Sequence, residues 1–338
     1  MPADTAIATI ANELGIKDQQ VGAVAALISD GSTIPFIARY RKEITGSLDE
    51  VAVTAIRDRL NQLQDLRERQ AAILKSLEKH GHLTDELHQK VLEAQTMVVL
   101  EDIYLPFKPK RRTKAVIAKE KGLEPLAHLI LEQKNIDPFQ SAAPYIDQDK
   151  KVDTIEDALA GARDIMAEII NENDEARSRL RSLFLTRAGI KSRVLVGMEE
   201  TGAKFKDYFD WQEPVAKVPS HRMLAMRRGE KENVLILDIS PAQEDAIAIM
   251  EALFVKGDGE DSAQVKLAVM DAYKRLLSHS METETRMHTK TQADAEAISV
   301  FAENLRQLLL SPPLGARRVM GIDPGFRTGC KLACLDRQ

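Results

Sequence analysis

The sequence predicts a mainly α fold: an elongated multi-helix scaffold with one long spine helix, a helix–turn–helix-like part, a small β-containing insertion and a short C-terminal β-hairpin. Three observations predict it. Apolar residues recur with helical spacing through the first 190 residues. Only two runs rich in Val, Leu and Ile, Ser192–Met198 and Asn233–Ile239, read as strands within the body of the chain. Finally, Ser311-Pro-Pro-Leu-Gly315 breaks the last helical stretch ahead of two short apolar runs around a glycine-containing loop.

Taken in order, Asp4 can cap a helix carrying Ile7, Ile10 and Leu14 and closed by Gly15. Asp18 can cap a second, with Val21, Val24, Leu27 and Ile28 inward and Gly31 past its end. Pro35 suits the first turn of a third helix through Glu43, whose buried stripe is Phe36, Ile37 and Tyr40. Ser47-Leu-Asp-Glu50 has the capping-box pattern and opens an uninterrupted helix to about His80, roughly 50 Å long at 1.5 Å per residue. Leu48, Val51, Ile56, Leu60, Leu63, Ile73, Leu74 and Leu77 form its apolar side, and a helix of that length reads as a spine for its neighbours. Shorter helices follow at about 85–95, 114–121, 124–133, 154–171 and 176–188, and helices resume from 241 to 310. The expected divisions are 1–190 (helical scaffold), 191–240 (α/β insertion), 241–316 (helical return) and 317–338 (hairpin). A chain of 338 residues accommodates two or three such domains.

Charge is unevenly distributed. The net charge of −5 argues against uniform attraction to nucleic acid, yet residues 104–121 hold seven bases against the single acid Glu120. Residues 147–175 hold ten acids against Lys150, Lys151 and Arg163. No basic segment followed by an apolar stretch opens the chain, and no apolar run approaches the 18 residues of a membrane span. Cys330 and Cys334, four apart on one strand, sit roughly 13 Å from each other, too far for a disulfide. Two free thiols suit a reducing compartment, so the expected location is cytoplasmic, away from membranes.

Several motifs carry both a functional and a structural reading. Lys108, Lys110, Arg111, Arg112 and Lys114 place five cations in seven residues, and Pro106 and Pro109 are expected to keep the segment extended along a phosphate track. The structural alternative is a solvated loop. Arg39, Arg41 and Lys42 cannot all lie on the buried stripe of their helix, which could therefore rest on phosphates or simply pack as one helix of a pair. Four aromatics within Gly202–Trp211 could stack on bases, although a small insertion needs such anchors for its own core. Arg222, Arg227 and Arg228 lie on a helix opened by Ser220 that could extend a basic face or be an ordinary surface helix. His80, His82 and His88 lack the spacing of a metal set, and phosphate-binding loops and nucleophile elbows are missing, so no cofactor is expected. Asp323, at the end of an apolar run beside Pro324-Gly325, is the one residue with a sharp catalytic reading, because this segment resembles the opening of a resolvase-like ribonuclease H domain, whose carboxylates hold divalent metal.

Five blocks, in order, resemble the Tex family of bacterial transcription accessory proteins. They are Ser32–Glu43 with Thr45–Asp49, Leu100–Lys108 with Lys110–Lys114, Gly202–Phe209, Ala297–Ala302 and Gly321–Gly329. The resemblance implies a helical N-terminal region with a helix–turn–helix-like part. After it come a YqgF-type ribonuclease H-like domain, helix–hairpin–helix segments and a C-terminal S1 RNA-binding domain. On that reading the chain ends inside the YqgF-type domain, whose truncated first hairpin is residues 317–338.

Three functions remain in view. The first is a non-enzymatic factor for transcription or RNA metabolism that binds RNA or DNA phosphates with weak sequence specificity. It would use Lys108, Lys110, Arg111, Arg112 and Lys114, with Arg39, Arg41, Arg222, Arg227 and Arg228 as further contacts. The second is a metal-dependent nuclease or resolvase, incomplete here, with Asp323 as first ligand. The third is a docking platform for RNA polymerase or other transcription proteins through the acidic 147–175 segment.

Overall fold

A computed structural model describes residues 3–108, 112–325 and 329–337, with side chains from Thr5 onward. The chain is mainly α, and it divides into two compact units: residues 1–179 with 247–277, and residues 180–246 with 278–338.

The first unit opens with α1 (Ala3–Leu14), α2 (Asp18–Ser29), α3 (Ile34–Tyr40), α4 (Lys42–Thr45) and the long α5 (Glu50–Lys79). The spine helix is therefore present, but its start differs from expectation. Asp49, not Ser47, is the cap, accepting a hydrogen bond from the Ala52 amide at 2.8 Å. Ser47 instead takes a positive φ of 63° in the turn after α4. Val51 correspondingly faces solvent, and Val53 takes the buried place expected for it. Likewise Asp18 is the first helical residue, behind the cap position Lys17. The side chain of Asp4 lies outside the described residues.

The third predicted helix is two. Arg41, with φ −127° and ψ 29°, ends α3 and precedes α4, which Gly46 closes in the left-handed conformation. The buried stripe of α3 also differs from expectation: Ile37 and Ala38 are buried, while Phe36 and Tyr40 are exposed.

Helix α5 serves two separate cores along its length. Its first half packs Val53 and Ile56 with Ile10, Val21, Val24 and Ile37. Its second half packs Leu66, Ile73 and Leu77 with Val91, Leu100 and Tyr104 from α6 (Asp85–Glu93) and α7 (Met97–Tyr104). Helix α7, which the spacing did not reveal, is short and capped by Thr96. After it a 3-10 turn covers Leu105–Phe107, so Pro106 sits in a helical turn and not in an extended segment. Proline at an early helical position loses no hydrogen bond, which is why the same residue fits either geometry.

The unit continues with α8 (Lys114–Glu120), α9 (Glu124–Glu132), α10 (Pro138–Ala142), α11 (Ile155–Asn171) and the start of α12 (Asp174–Arg187). Helix α11 is the most enclosed: Ala158, Leu159, Ala162, Ile165, Met166, Ala167 and Ile170 are all buried, and Thr154 and Asp157 form its capping box. A buried ion pair, Arg177 Nε to Asp102 Oδ1 at 2.6 Å, ties α12 to α7.

The second unit holds a three-stranded antiparallel sheet of order β2-β1-β3, from β1 (Gly189–Val194), β2 (Asp210–Pro214) and β3 (Leu235–Ser240). β1 starts three residues before the predicted Ser192, and Val196, within the predicted run, is 93% exposed. Pairing on both sides, with Ser192 opposite Trp211 and Leu237, decides the register that β-propensity could not. β2, whose sequence Asp-Trp-Gln-Glu-Pro has little strand character, is recruited by that pairing. Helix α13 (Ser220–Lys231) and α16 (Ser278–Leu310) pack on each other and on β3. Position 219, a proline, precedes α13 as its cap residue, so the expected Ser220 cap is replaced.

Helix α14 (Gln243–Phe254) leads back to the first unit, where α15 (Glu260–Asp271) and a π-helical turn (Ala272–Leu277) precede α16. Finally β4 (Val319–Gly325) and β5 (Gly329–Leu335) form the expected antiparallel hairpin, with Asp323 opposite Lys331 and both cysteines exposed.

Candidate nucleic-acid interface

The basic strip is mounted on the second core of the spine. Tyr104, at the end of α7, is buried, shares a hydrogen bond of 2.8 Å with Ser76 Oγ of α5, and lies under the Arg69 guanidinium at 5.6 Å. Phe107 meets His82 ring to ring at 5.7 Å. At its other end Thr113 caps α8, accepting from the Val116 amide at 3.2 Å and donating to Glu168 Oε1 of α11 at 3.0 Å. The described residues on either side of the strip are thus each anchored, Tyr104 to α5 and Thr113 to α11.

The cations of the strip differ in what they face. Lys108 and Lys114 are exposed and line a groove of about 490 Å³ with Asp164, Glu168, Glu172 and Arg275. Arg112 is exposed but paired to Glu120 Oε2 at 2.8 Å. Lys110 and Arg111 lie outside the described residues, as does Pro109. In the groove Arg275 binds Asp271 at 2.5 Å and Asp164 at 3.1 Å. Burial pushes the Asp164 carboxyl above the ordinary range, against the opposing pull of Arg275 and Lys114. Arg275 belongs mainly to Asp271, whose hydrogen bond raises the pKa of Arg275, so Asp164 is only partly compensated.

The other expected contacts are dispersed. Arg39 reaches Glu50 at 3.2 Å, and Arg41 folds over the Phe36 ring at 4.8 Å. Because Arg39 touches Glu50 and Tyr104 touches Ser76, these two basic places lie at opposite ends of α5, roughly 40 Å apart at 1.5 Å per residue. In the second unit Arg222 binds Glu213 at 2.9 Å and stands 5.1 Å from the Trp211 ring centroid. Arg227 pairs with Glu230. Arg228 alone of the three has an exposed side chain with no ion pair among the described residues, on a groove of about 810 Å³ shared with Lys204, His221 and Phe301. The aromatic block anchors the insertion: Phe205 is buried, and Tyr208 and Trp211 meet edge to face at 6.2 Å.

Asp323 is exposed on the hairpin, and among the described residues no three His, Cys, Asp or Glu side chains are grouped to hold a metal. The acids of 147–175 are largely engaged within the unit. Asp147 holds Lys150, the Asp157 carboxylate accepts from the Thr154 amide at 3.0 Å, Glu156 binds Arg163 and Glu175 binds Arg179. Sequence reasoning missed Glu120 as the partner of Arg112, although it is the only acid in the strip, and missed Glu168 as the anchor of Thr113, which no local spacing signals.

Comparison with known families assigns the chain. The Tex-like protein N-terminal domain matches residues 4–78, and the Tex central region-like family matches residues 133–301, half of the chain. The chain belongs to the Tex family. It is 42% identical to Protein tex of Bordetella pertussis, over 98% of this chain and 44% of that protein. It is 41% identical to the transcriptional accessory protein Tex of Neisseria gonorrhoeae, over 97% of this chain and 44% of that one. Similarity extends to the human S1 RNA-binding domain-containing protein 1, at 29% identity over 92% of this chain and 33% of that protein. This Tex-family chain therefore spans less than half the length of those relatives. No described helix is long and apolar enough to cross a membrane.

Proposed function

We propose that this Tex-family chain is the scaffold portion of a non-enzymatic transcription accessory factor, and that it contacts nucleic-acid phosphates through the strip from Lys108 to Lys114. One observation carries the reading: Lys108, Arg112 and Lys114 are exposed beside two anchored residues, Tyr104 on Ser76 and Thr113 on Glu168, so these cations reach solvent at little further ordering cost. Relatives bearing the names transcriptional accessory protein and S1 RNA-binding domain-containing protein support the ligand class. Arg228 is a secondary contact. Arg222 and Arg227 contribute less, because each would first have to leave a carboxylate. The acidic platform is the weaker alternative, since its carboxylates are spent on caps and internal ion pairs.

The test is the salt dependence of binding to duplex DNA. Each phosphate contact contributes about 0.9 to the slope of log K against log salt, and with Arg112 held by Glu120 the Lys110/Arg111/Arg112→Glu variant should flatten it by roughly two units. An unchanged slope would assign the strip to a solvated loop.

A further inference from the structure

The N-terminal end of the spine presents a second, chemically different surface. Helical spacing places Phe36 and Tyr40 inward, yet they are 37% and 64% exposed. Their rings touch, with centroids 5.6 Å apart and planes tilted by 42°. Arg41 covers the Phe36 face at 4.8 Å, and its Nη1 donates to the Tyr40 carbonyl at 3.2 Å. One aromatic face is thereby occupied and the Tyr40 ring remains open. Among the described residues neither Arg41 nor Lys42 has a carboxylate partner. The neighbouring acids are Glu43, which is exposed, and Glu50, whose 3.2 Å pair with Arg39 has both side chains about half exposed or more and is easily exchanged.

We propose that Tyr40, propped by Phe36 and flanked by Arg41 and Lys42, is a stacking platform for a base of single-stranded nucleic acid. An open ring beside uncompensated cations suits a base with its phosphates. A duplex offers no free base faces. The exposed Ile44 and Val51 nearby would suit an apolar protein partner, but seating one would desolvate Arg41 and Lys42 without a counter-charge. The inference shares with the proposed function the premise that nucleic acid is the ligand, and uses different residues at the far end of α5.

The experiment measures binding of the full 338-residue chain to labelled single-stranded RNA and DNA dodecamers and to a duplex of equal length. Tyr40→Ala should weaken single-strand binding at least about fivefold, leave duplex binding and the salt slope unchanged, and be rescued by Tyr40→Phe. Equal single-strand affinity in Tyr40→Ala, an equal loss on duplex, or no single-strand binding by the native chain would overturn the proposal. Should Tyr40→Ala misfold by circular dichroism, photocrosslinking of a 4-thiouridine oligonucleotide to the native chain decides. A crosslink within residues 33–44 supports the platform, and its absence there overturns it. The Lys110/Arg111/Arg112→Glu variant separates the two readings. If its slope is unchanged while Tyr40→Ala loses single-strand binding, the strip fails and the platform stands.

Discussion

Glu120 neutralises Arg112 at 2.8 Å from a position where both side chains remain more than half exposed. Such a pair contributes little to stability but withholds a cation from any phosphate. Glu120→Gln should leave the unfolding midpoint nearly unchanged and steepen the salt slope of duplex binding by about one unit. No change in slope would mean that Arg112 does not meet phosphate. Asp164 illustrates the reverse problem, a carboxylate whose burial outweighs its partners. Its folded pKa is raised, so the folded state keeps the proton at a pH where the unfolded chain has lost it. The group therefore costs stability once pH climbs from about 3.9 through the raised value, and that cost disappears below the window. Asp164→Asn should remove this fall, leaving the protein at pH 7 as stable as the native chain or more so. Urea titrations at pH 4 and pH 7 check it, and a variant that is less stable at pH 7 would show that Asp164 earns its place through Arg275. Glu13 behaves oppositely: the Arg59 hydrogen bond lowers its pKa, so its contribution is present above the ordinary carboxylate range and fades as pH falls through the folded value.

Elements meet closely where glycine permits it. A Cβ on Gly202 would lie 2.2 Å from Val234 Cγ1 and 2.7 Å from the Met198 carbonyl oxygen. The first atom belongs to a buried β-branched side chain and the second to backbone, so neither can move freely. Gly202→Ala should cost about 1–3 kcal/mol, the range of an overpacked core, and chemical denaturation measures it. A loss below about 0.5 kcal/mol would mean that the turn before the Ala203–Tyr208 segment shifts without consequence for the sheet. The same element scale explains why α3 and α4 are separate. Arg41 leaves helical geometry and stacks on Phe36, while within α3 the buried face is Ile37 and Ala38, and Phe36 and Tyr40 share the exposed one. Helical spacing puts Phe36 and Tyr40 together on one face, but which face of a seven-residue helix is buried is chosen by its neighbours.

Across the whole molecule, protection should follow enclosure. Helix α11 buries residues along its whole length, whereas among the described residues β4 and β5 pair only with each other and have exposed side chains almost throughout. A two-stranded hairpin is marginal in water. Amide exchange of this chain should be slowest in α11 and fastest, among the strands, in β4–β5, with Cys330 and Cys334 labelled by thiol reagents without denaturant. Slow exchange in the hairpin, or unlabelled cysteines, would show that it is covered in solution.

Sequence by itself determined the mainly α class, the spine helix, most helix positions, the paired strands, the terminal hairpin and the family. These follow from signals that are local or long: apolar spacing repeated over many turns, glycine and proline punctuation, and motif blocks read along the chain. Tertiary structure alone decided the rest. It chose Asp49 over Ser47 as cap, set the β1 register, recruited Asp210–Pro214 as a strand and gave Arg112, Arg222 and Arg227 their carboxylates. Glu168 meets Thr113 from 55 positions away, and Arg222 finds Glu213 across a turn. An ionic or packing partner depends on which surfaces are pressed together, and that depends on every core at once. A charge's availability for a ligand is therefore not written in its own segment of the chain.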